Sequence, residues 1–140
     1  MKVKKHLAAT LAAVAVFSGL GVTTASTAQA NSPCAKASWY TLRSGDRVPL
    51  PATSGGSFSC IMGRGAGGEH VKALQWALNR CEGARLDVDG AFGPATESAL
   101  RTAQSRNGVA SDGVYGPNTR NAIRWEIRRS SGSTYCGRLG

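Results

Sequence analysis

Between Glu69 and Arg80 the apolar residues gather on one side of a helical wheel. Val71, Leu74, Leu78 and Cys81 fall at i, i+3, i+7 and i+10, and this spacing predicts a helix over about 69–80. Trp76 stands ~140° off that stripe at ~100° per residue, so it needs cover from elsewhere or stays in water. Two more helices are expected over about 94–106 and 117–129. Ala99, Leu100 and Ala103 make the inward face of the first, and Ala122, Ile123 and Ile127 that of the second. Gly108 and Gly132 stand where each would stop. Upstream, Pro49, Pro51, Gly55 and Gly56 punctuate a Thr/Ser-rich stretch. Short extended pieces such as 38–42 fit there, but no helix does. The expected fold is all-α: a small three-helix bundle over 68–130, an irregular N-terminal arm over 31–67 and a C-terminal tail over 131–140.

The chain also repeats itself. Asp89-Gly90-Ala91-Phe92-Gly93-Pro94-Ala95-Thr96 aligns without a gap with Asp112-Gly113-Val114-Tyr115-Gly116-Pro117-Asn118-Thr119. Each unit has a physical reading. The aspartate accepts backbone N–H groups in a tight turn, and the following glycine supplies a positive φ. The aromatic residue folds back as a plug. Gly then caps a helix whose first position is Pro, where the missing N–H costs nothing. Thr two residues later can serve the unpaired donors of the first turn.

Export changes how the composition is read. Lys2, Lys4 and Lys5 precede an apolar run from Leu7 to Val22, and Ala28-Gln29-Ala30 is a small-x-small cleavage pattern, so residues 1–30 are expected to be a signal peptide removed before Asn31. Losing the three lysines lowers the net charge from +9 to +6. The remaining positive charge is nearly all arginine and suits an acidic partner. An exported chain with no nucleic-acid-reading element points away from nucleic acid, and after cleavage nothing further would hold it in a membrane. Cys34, Cys60, Cys81 and Cys136 all follow the leader, which predicts two disulfides. Four cysteines allow three connectivities and the spacing does not choose among them. The pairing expected is Cys60–Cys81 with Cys34–Cys136. A zinc site is a poor fit, because there is no Cys-x-x-Cys pair and His70 is the one histidine after the leader.

The combined pattern resembles a known family. Val71-x-x-Leu74-Gln75-x-x-Leu78-Asn79 leads to Leu86-x-Val88-Asp89-Gly90-x-Phe92-Gly93-x-x-Thr96-x-x-Ala99-Leu100. Gln104, Gly108 and Asp112-Gly113-x-Tyr115-Gly116-x-x-Thr119 follow. Over about 68–127 this is similar to the peptidoglycan-binding type 1 domain, and two such units after a Leu-Gln-x-x-Leu helix are a specific signal. The framing cysteines and the arm are similar to exported actinobacterial versions. One departure is Ala103, where the family often has an aromatic residue before Gln. The resemblance implies a three-helix module that holds bacterial cell-wall polymer, usually beside a wall hydrolase. It therefore implies a secreted, monomeric, non-catalytic peptidoglycan binder without cofactor or metal, at the wall or outside the cell.

A groove for glycan or stem peptide needs polar groups at its rim and an aromatic face. The candidates are Gln75, Asp89, Phe92, Thr96, Asp112, Tyr115, Thr119, Arg120 and Arg124. Asp89, Asp112, Thr96 and Thr119 have a competing role bracing their turns, and Phe92 one in the core. Tyr115, with its hydroxyl, is the stronger ligand candidate. Arg120, Arg124 and Arg128 would form a basic stripe on the third helix, suited to stem carboxylates or anionic wall polymers, or else a solvated face. Trp39, Trp76 and Trp125 could stack on sugar faces, but are expected instead to plug the gap between arm and bundle. Two alternatives stay beside the binder: a small lysozyme-like wall hydrolase, and an exported protease inhibitor using the loop from Arg47 to Cys60.

Overall fold

The computed structural model describes residues 32–139. The expected signal peptide lies outside the described residues. Strands β1 (Ser32–Pro33), β2 (Lys36–Thr41), β3 (Arg47–Ala52) and β4 (Cys60–Ile61) come first. Helices α1 (Glu69–Cys81), α2 (Pro94–Arg106) and α3 (Pro117–Ala122) follow. Strands β5 (Trp125–Arg128) and β6 (Thr134–Gly137) close the order. The fold is mixed, and the all-α three-helix bundle is corrected: a four-stranded sheet in the order β2-β3-β5-β6 packs with the helices, and β1 and β4 form a parallel pair.

The arm is not irregular. Leu42 and Asp46 close a tight turn around Gly45, whose φ is +87°, and β2 and β3 run back antiparallel from Thr41↔Arg47 to Lys36↔Ala52. Pro49 and Pro51 make β3 read as coil, yet both are tolerated there. Ala52 O accepts from Ala35 N, so Ala52, Leu50 and Val48 bond towards β2 and the prolines turn their missing donors away. On that side β3 meets β5 at a single register position, Arg47↔Arg128.

The third helix is shorter than expected. It stops at Ala122, Ile123 turns to extended backbone, and the chain continues as β5. The reason is a period of two, not 3.6. Ile123, Trp125 and Ile127 are buried, while Arg124, Glu126 and Arg128 alternate outward. Gly132, expected as a helix stop, instead lies in the turn joining β5 to β6, where Arg129 N donates to Ser133 O at 2.8 Å.

The expected helices α1 and α2 are present, and each starts or ends within a residue of its expected bounds. Gly93/Pro94 and Gly116/Pro117 open α2 and α3 as the motif predicts. Val71, Leu74 and Leu78 meet Val48 and Leu50 of β3, Leu100 and Ala103 of α2, and Ile123, Trp125 and Ile127 in one core. Among the described residues no helix is long and apolar enough to cross a membrane.

The disulfides are Cys34–Cys60 and Cys81–Cys136, which corrects the expected pairing of Cys60 with Cys81 and Cys34 with Cys136. The strands decide it. Parallel pairing of β1 with β4 sets Ser32 opposite Cys60 and carries Cys34 to its partner. The β5–β6 hairpin brings Cys136 to the end of α1. The bridges span 26 and 55 residues, loops whose closure stabilises by about 3–4 kcal/mol each.

Candidate functional site

The two Asp-Gly motifs are locked by two buried glutamines wired alike. Gln75, on the inner side of α1, donates through Nε2 to Asp89 Oδ1 (3.0 Å), Ala91 O (3.1 Å) and Thr96 Oγ1 (3.1 Å). Its Oε1 accepts from Gly90 N at 3.0 Å. Gln104, on α2, donates to Asp112 Oδ1 (2.9 Å), Val114 O (2.8 Å) and Thr119 Oγ1 (3.0 Å), and accepts from Gly113 N (2.9 Å). Gly90 and Gly113 have φ of +75° and +71°, the left-handed turn the motif predicts. Asp89 Oδ1 also accepts from Ala91 N, and this bond, with that from Gln75, holds its carboxyl below the usual carboxylate range.

The motif aromatics are plugs. Phe92 and Tyr115 are buried, and their backbones bridge to the segment before α1: Phe92 N to Ala66 O at 2.9 Å, Tyr115 N to Met62 O at 2.9 Å. Tyr115 meets Trp125 edge-on at 6.1 Å, and its buried hydroxyl has no partner. Burial pushes the Tyr115 phenol well above its ordinary value. Gln75, Phe92, Thr96, Tyr115 and Thr119 therefore stand in the interior, and Tyr115 offers no surface to a ligand. Asp89 and Asp112 are exposed but spend one oxygen each on their turns.

The arginines do not form a helical stripe, because α3 ends before Arg124. Arg120 donates to Phe58 O at 2.8 Å. Arg124 is tied to Glu82, which accepts the Arg124 backbone N–H at 2.7 Å and stands 3.5 Å from its guanidinium. Glu82, buried near the end of α1, also accepts from Asn107 at 3.0 Å and so joins α1, α2 and the start of β5. Sequence reasoning did not single it out.

Sequence reasoning also missed a groove between β2, α1 and β5. Its volume is about 330 Å³, within the ~300–1,000 Å³ of small-molecule sites. Trp39 and Trp76 stand on it, each 49% exposed, and Trp125 lies beneath them at 1%. Only Trp125 is the expected plug; its Nε1 donates to Arg120 O at 2.8 Å. Trp76 is exposed because it sits off the buried stripe of α1. The Arg80 guanidinium lies 5.6 Å from the Trp76 ring, and Arg47 and Arg128 lie 4.8 and 5.7 Å from the Trp39 ring. The one carboxylate on the wall, Glu126, is 3.9 Å from Arg80.

Other acids are engaged as well. Glu97 pairs with Arg64 and Arg101, Glu69 with Lys72, and Asp46 accepts from Tyr135. His70 is buried, and desolvation lowers its pKa. Among the described residues no three His, Cys, Asp or Glu side chains stand together to hold a metal ion. The arrangement offers surfaces for binding and turns braced for stability.

The zinc D-Ala-D-Ala carboxypeptidase of Streptomyces albus G is 40% identical over 58 residues, 40% of this chain and 23% of that enzyme. The chain thus spans about a quarter of the length of that relative. The SleB N-terminal domain is 40% identical, over 44% of this chain and 84% of that one, with a TM-score of 0.42. A peptidoglycan-binding protein from Clostridioides difficile, solved with glutamine hydroxamate, is 28% identical over 59% of this chain and 54% of that one, with a TM-score of 0.46. The family model for the peptidoglycan binding domain matches residues 67–123, the span that contains α1, both Asp-Gly motifs and both glutamine locks. Over that span the chain belongs to the peptidoglycan binding domain family.

Proposed function

We propose that this protein is an exported, non-catalytic module that binds bacterial peptidoglycan at the wall or outside the cell. The family membership of residues 67–123 carries the reading. The two disulfides suit an oxidising, extracytoplasmic setting. The non-catalytic part is supported by Asp89 and Asp112, committed to their turns, Glu97, committed to ion pairs, and Glu82, committed to its junction. The inhibitor reading loses support, since Val48 and Leu50 to Ala52 of the proposed loop are buried strand residues.

A hydrolase reading draws on the likeness to the carboxypeptidase named above. Two measurements separate it from the binder. The mature protein is expected to sediment with purified insoluble sacculi at low and moderate salt; a protein that stays in the supernatant removes the binding reading. It is expected to leave a sacculus-impregnated gel uncleared at its band; clearing there establishes a hydrolase.

A further inference from the structure

We propose that the Trp39–Trp76 groove is a site for an acidic saccharide-peptide, with a sugar ring packed on the indoles and a carboxylate of its peptide held between Arg47 and Arg128. This deepens the wall-binding reading and rests on it. Three observations carry it.

The first is a pair of like charges. Arg47 of β3 and Arg128 of β5 are register partners on adjacent strands, so both guanidinium groups stand on one face of the sheet. Like charges directly opposite are destabilising. Among the described residues neither arginine forms an ion pair, yet both converge on the Trp39 ring. A second cavity, of about 240 Å³, opens on that side and is lined by Trp39, Arg47 and Arg128. An anion placed there relieves the repulsion and takes bonds from two planar forks.

The second is the indoles. Two half-exposed tryptophans from different elements, β2 and α1, stand on the same groove with a buried tryptophan beneath. A pyranose ring has a face of C–H bonds that packs on an aromatic surface, and hydroxyls that stay in water at the rim. A bare phosphopolymer has no such face. The third is polarity along the groove. At the Trp76 end the charge of Arg80 is met by Glu126, while at the Trp39 end neither Arg47 nor Arg128 forms an ion pair among the described residues. The ring therefore lies towards Trp76 and the carboxylate towards Trp39. Trp39, Arg47 and Arg128 all lie outside residues 67–123, so the carboxylate end of the site belongs to the sheet that this chain adds to the family segment, while Trp76 lies within that segment.

The test uses the full mature chain with its disulfides intact. Sedimentation with sacculi and titration with a soluble disaccharide-peptide cut from them, read by tryptophan fluorescence, are compared across variants. Trp39→Ala, Trp76→Ala and the double variant Arg47→Ser/Arg128→Ser are each expected to weaken binding about tenfold. The double variant Arg43→Ser/Arg85→Ser, which removes as much charge from exposed positions off the groove, is expected to bind as wild type does. The three groove changes sit on different elements, so thermal melting identifies any one that unfolds and the others still report. A neutral chito-oligosaccharide is expected to bind at least tenfold more weakly than the disaccharide-peptide. Wild-type sedimentation with undiminished binding by the groove variants overturns the site and leaves the wall-binding reading standing. Equal loss in the control double variant, equal affinity for the neutral sugar, or loss of sedimentation after stripping phosphopolymer from the sacculi also overturns it. Failure of the wild type to sediment removes the wall-binding reading and this site with it.

Discussion

Gln75 reaches from α1 to Thr96 at the start of α2, its Nε2 3.1 Å from the Thr96 hydroxyl, and in doing so fastens the first Asp-Gly turn between the two helices. With its carbonyl on Gly90 N, it uses both ends of its amide inside the protein. Gln75→Leu keeps the size but strands the Gly90 N–H and removes a donor from Asp89. We predict a loss of about 3 kcal/mol in unfolding free energy, read by urea denaturation, and a similar loss for Gln104→Leu. Against a typical total of ~5–15 kcal/mol, the double variant should be marginal. Unchanged stability in either single variant would count against a structural role for that glutamine, and for Gln75 would return it to the ligand candidates.

Gly113 and Gly108 separate strain from crowding. Both have positive φ, +71° and +73°. A Cβ at Gly108 meets open space, whereas one at Gly113 comes 2.7 Å from Glu97 Cγ and 2.9 Å from Arg101 Nε. Gly108→Ala is predicted to cost about 1 kcal/mol, from backbone conformation alone. Gly113→Ala is predicted to cost about 2–3 kcal/mol, because the Glu97–Arg101 ion pair must also shift. Equal losses in chemical denaturation would show that the side chains move aside freely.

The helices and turns were legible because their signals are local. Gly-Pro starts, an apolar stripe on α1 and Asp-Gly turns need no distant partner to be read. The sheet was hidden for two different reasons. Prolines disguised β3, although they turn their missing donors to an edge that needs few. The alternation Ile123-Arg124-Trp125-Glu126-Ile127-Arg128 was in plain view, but the preceding Gly-Pro helix start drew the reading past the helix end. The glutamine locks were obscured by spacing: Gln75 precedes its aspartate by 14 residues and Gln104 by 8, so the glutamines fall out of the repeat. The groove depended on the unforeseen hairpin. Without β2 there was no wall for Trp39, and Trp76 had nothing to face.

The corrected disulfides give a direct chemical test. Proteolysis without reduction should release peptides joined through Cys34–Cys60 and Cys81–Cys136, identified by mass. A peptide joining Cys60 to Cys81 would contradict the strand pairing of β1 with β4 as well as the bridge. Replacing Cys81 and Cys136 together by serine should lower stability by about 4 kcal/mol, since their bridge closes the longer loop of 55 residues.

Tyr115 links burial to pH. Its hydroxyl is buried without a partner, and it packs edge-on against Trp125 in the position that Phe92 holds in the first motif. Tyr115→Phe removes an unmet polar group and keeps the ring, so it should be neutral or stabilise by up to about 1 kcal/mol. The pH dependence follows from the same burial. The folded phenol titrates above its ordinary value, even with Arg120 nearby favouring the charged form. Once pH exceeds about 10, the unfolded chain releases this proton while the folded chain keeps it, so stability falls as pH rises. Desolvation, with the Asp46 carboxylate beside it, also raises the Tyr135 pKa and adds to the alkaline fall in both proteins. Tyr115→Phe should therefore make the decline above pH ~10 shallower without abolishing it. Denaturation midpoints measured from pH 8 to 11 decide the matter, and parallel curves for the two proteins would mean that the Tyr115 hydroxyl reaches water.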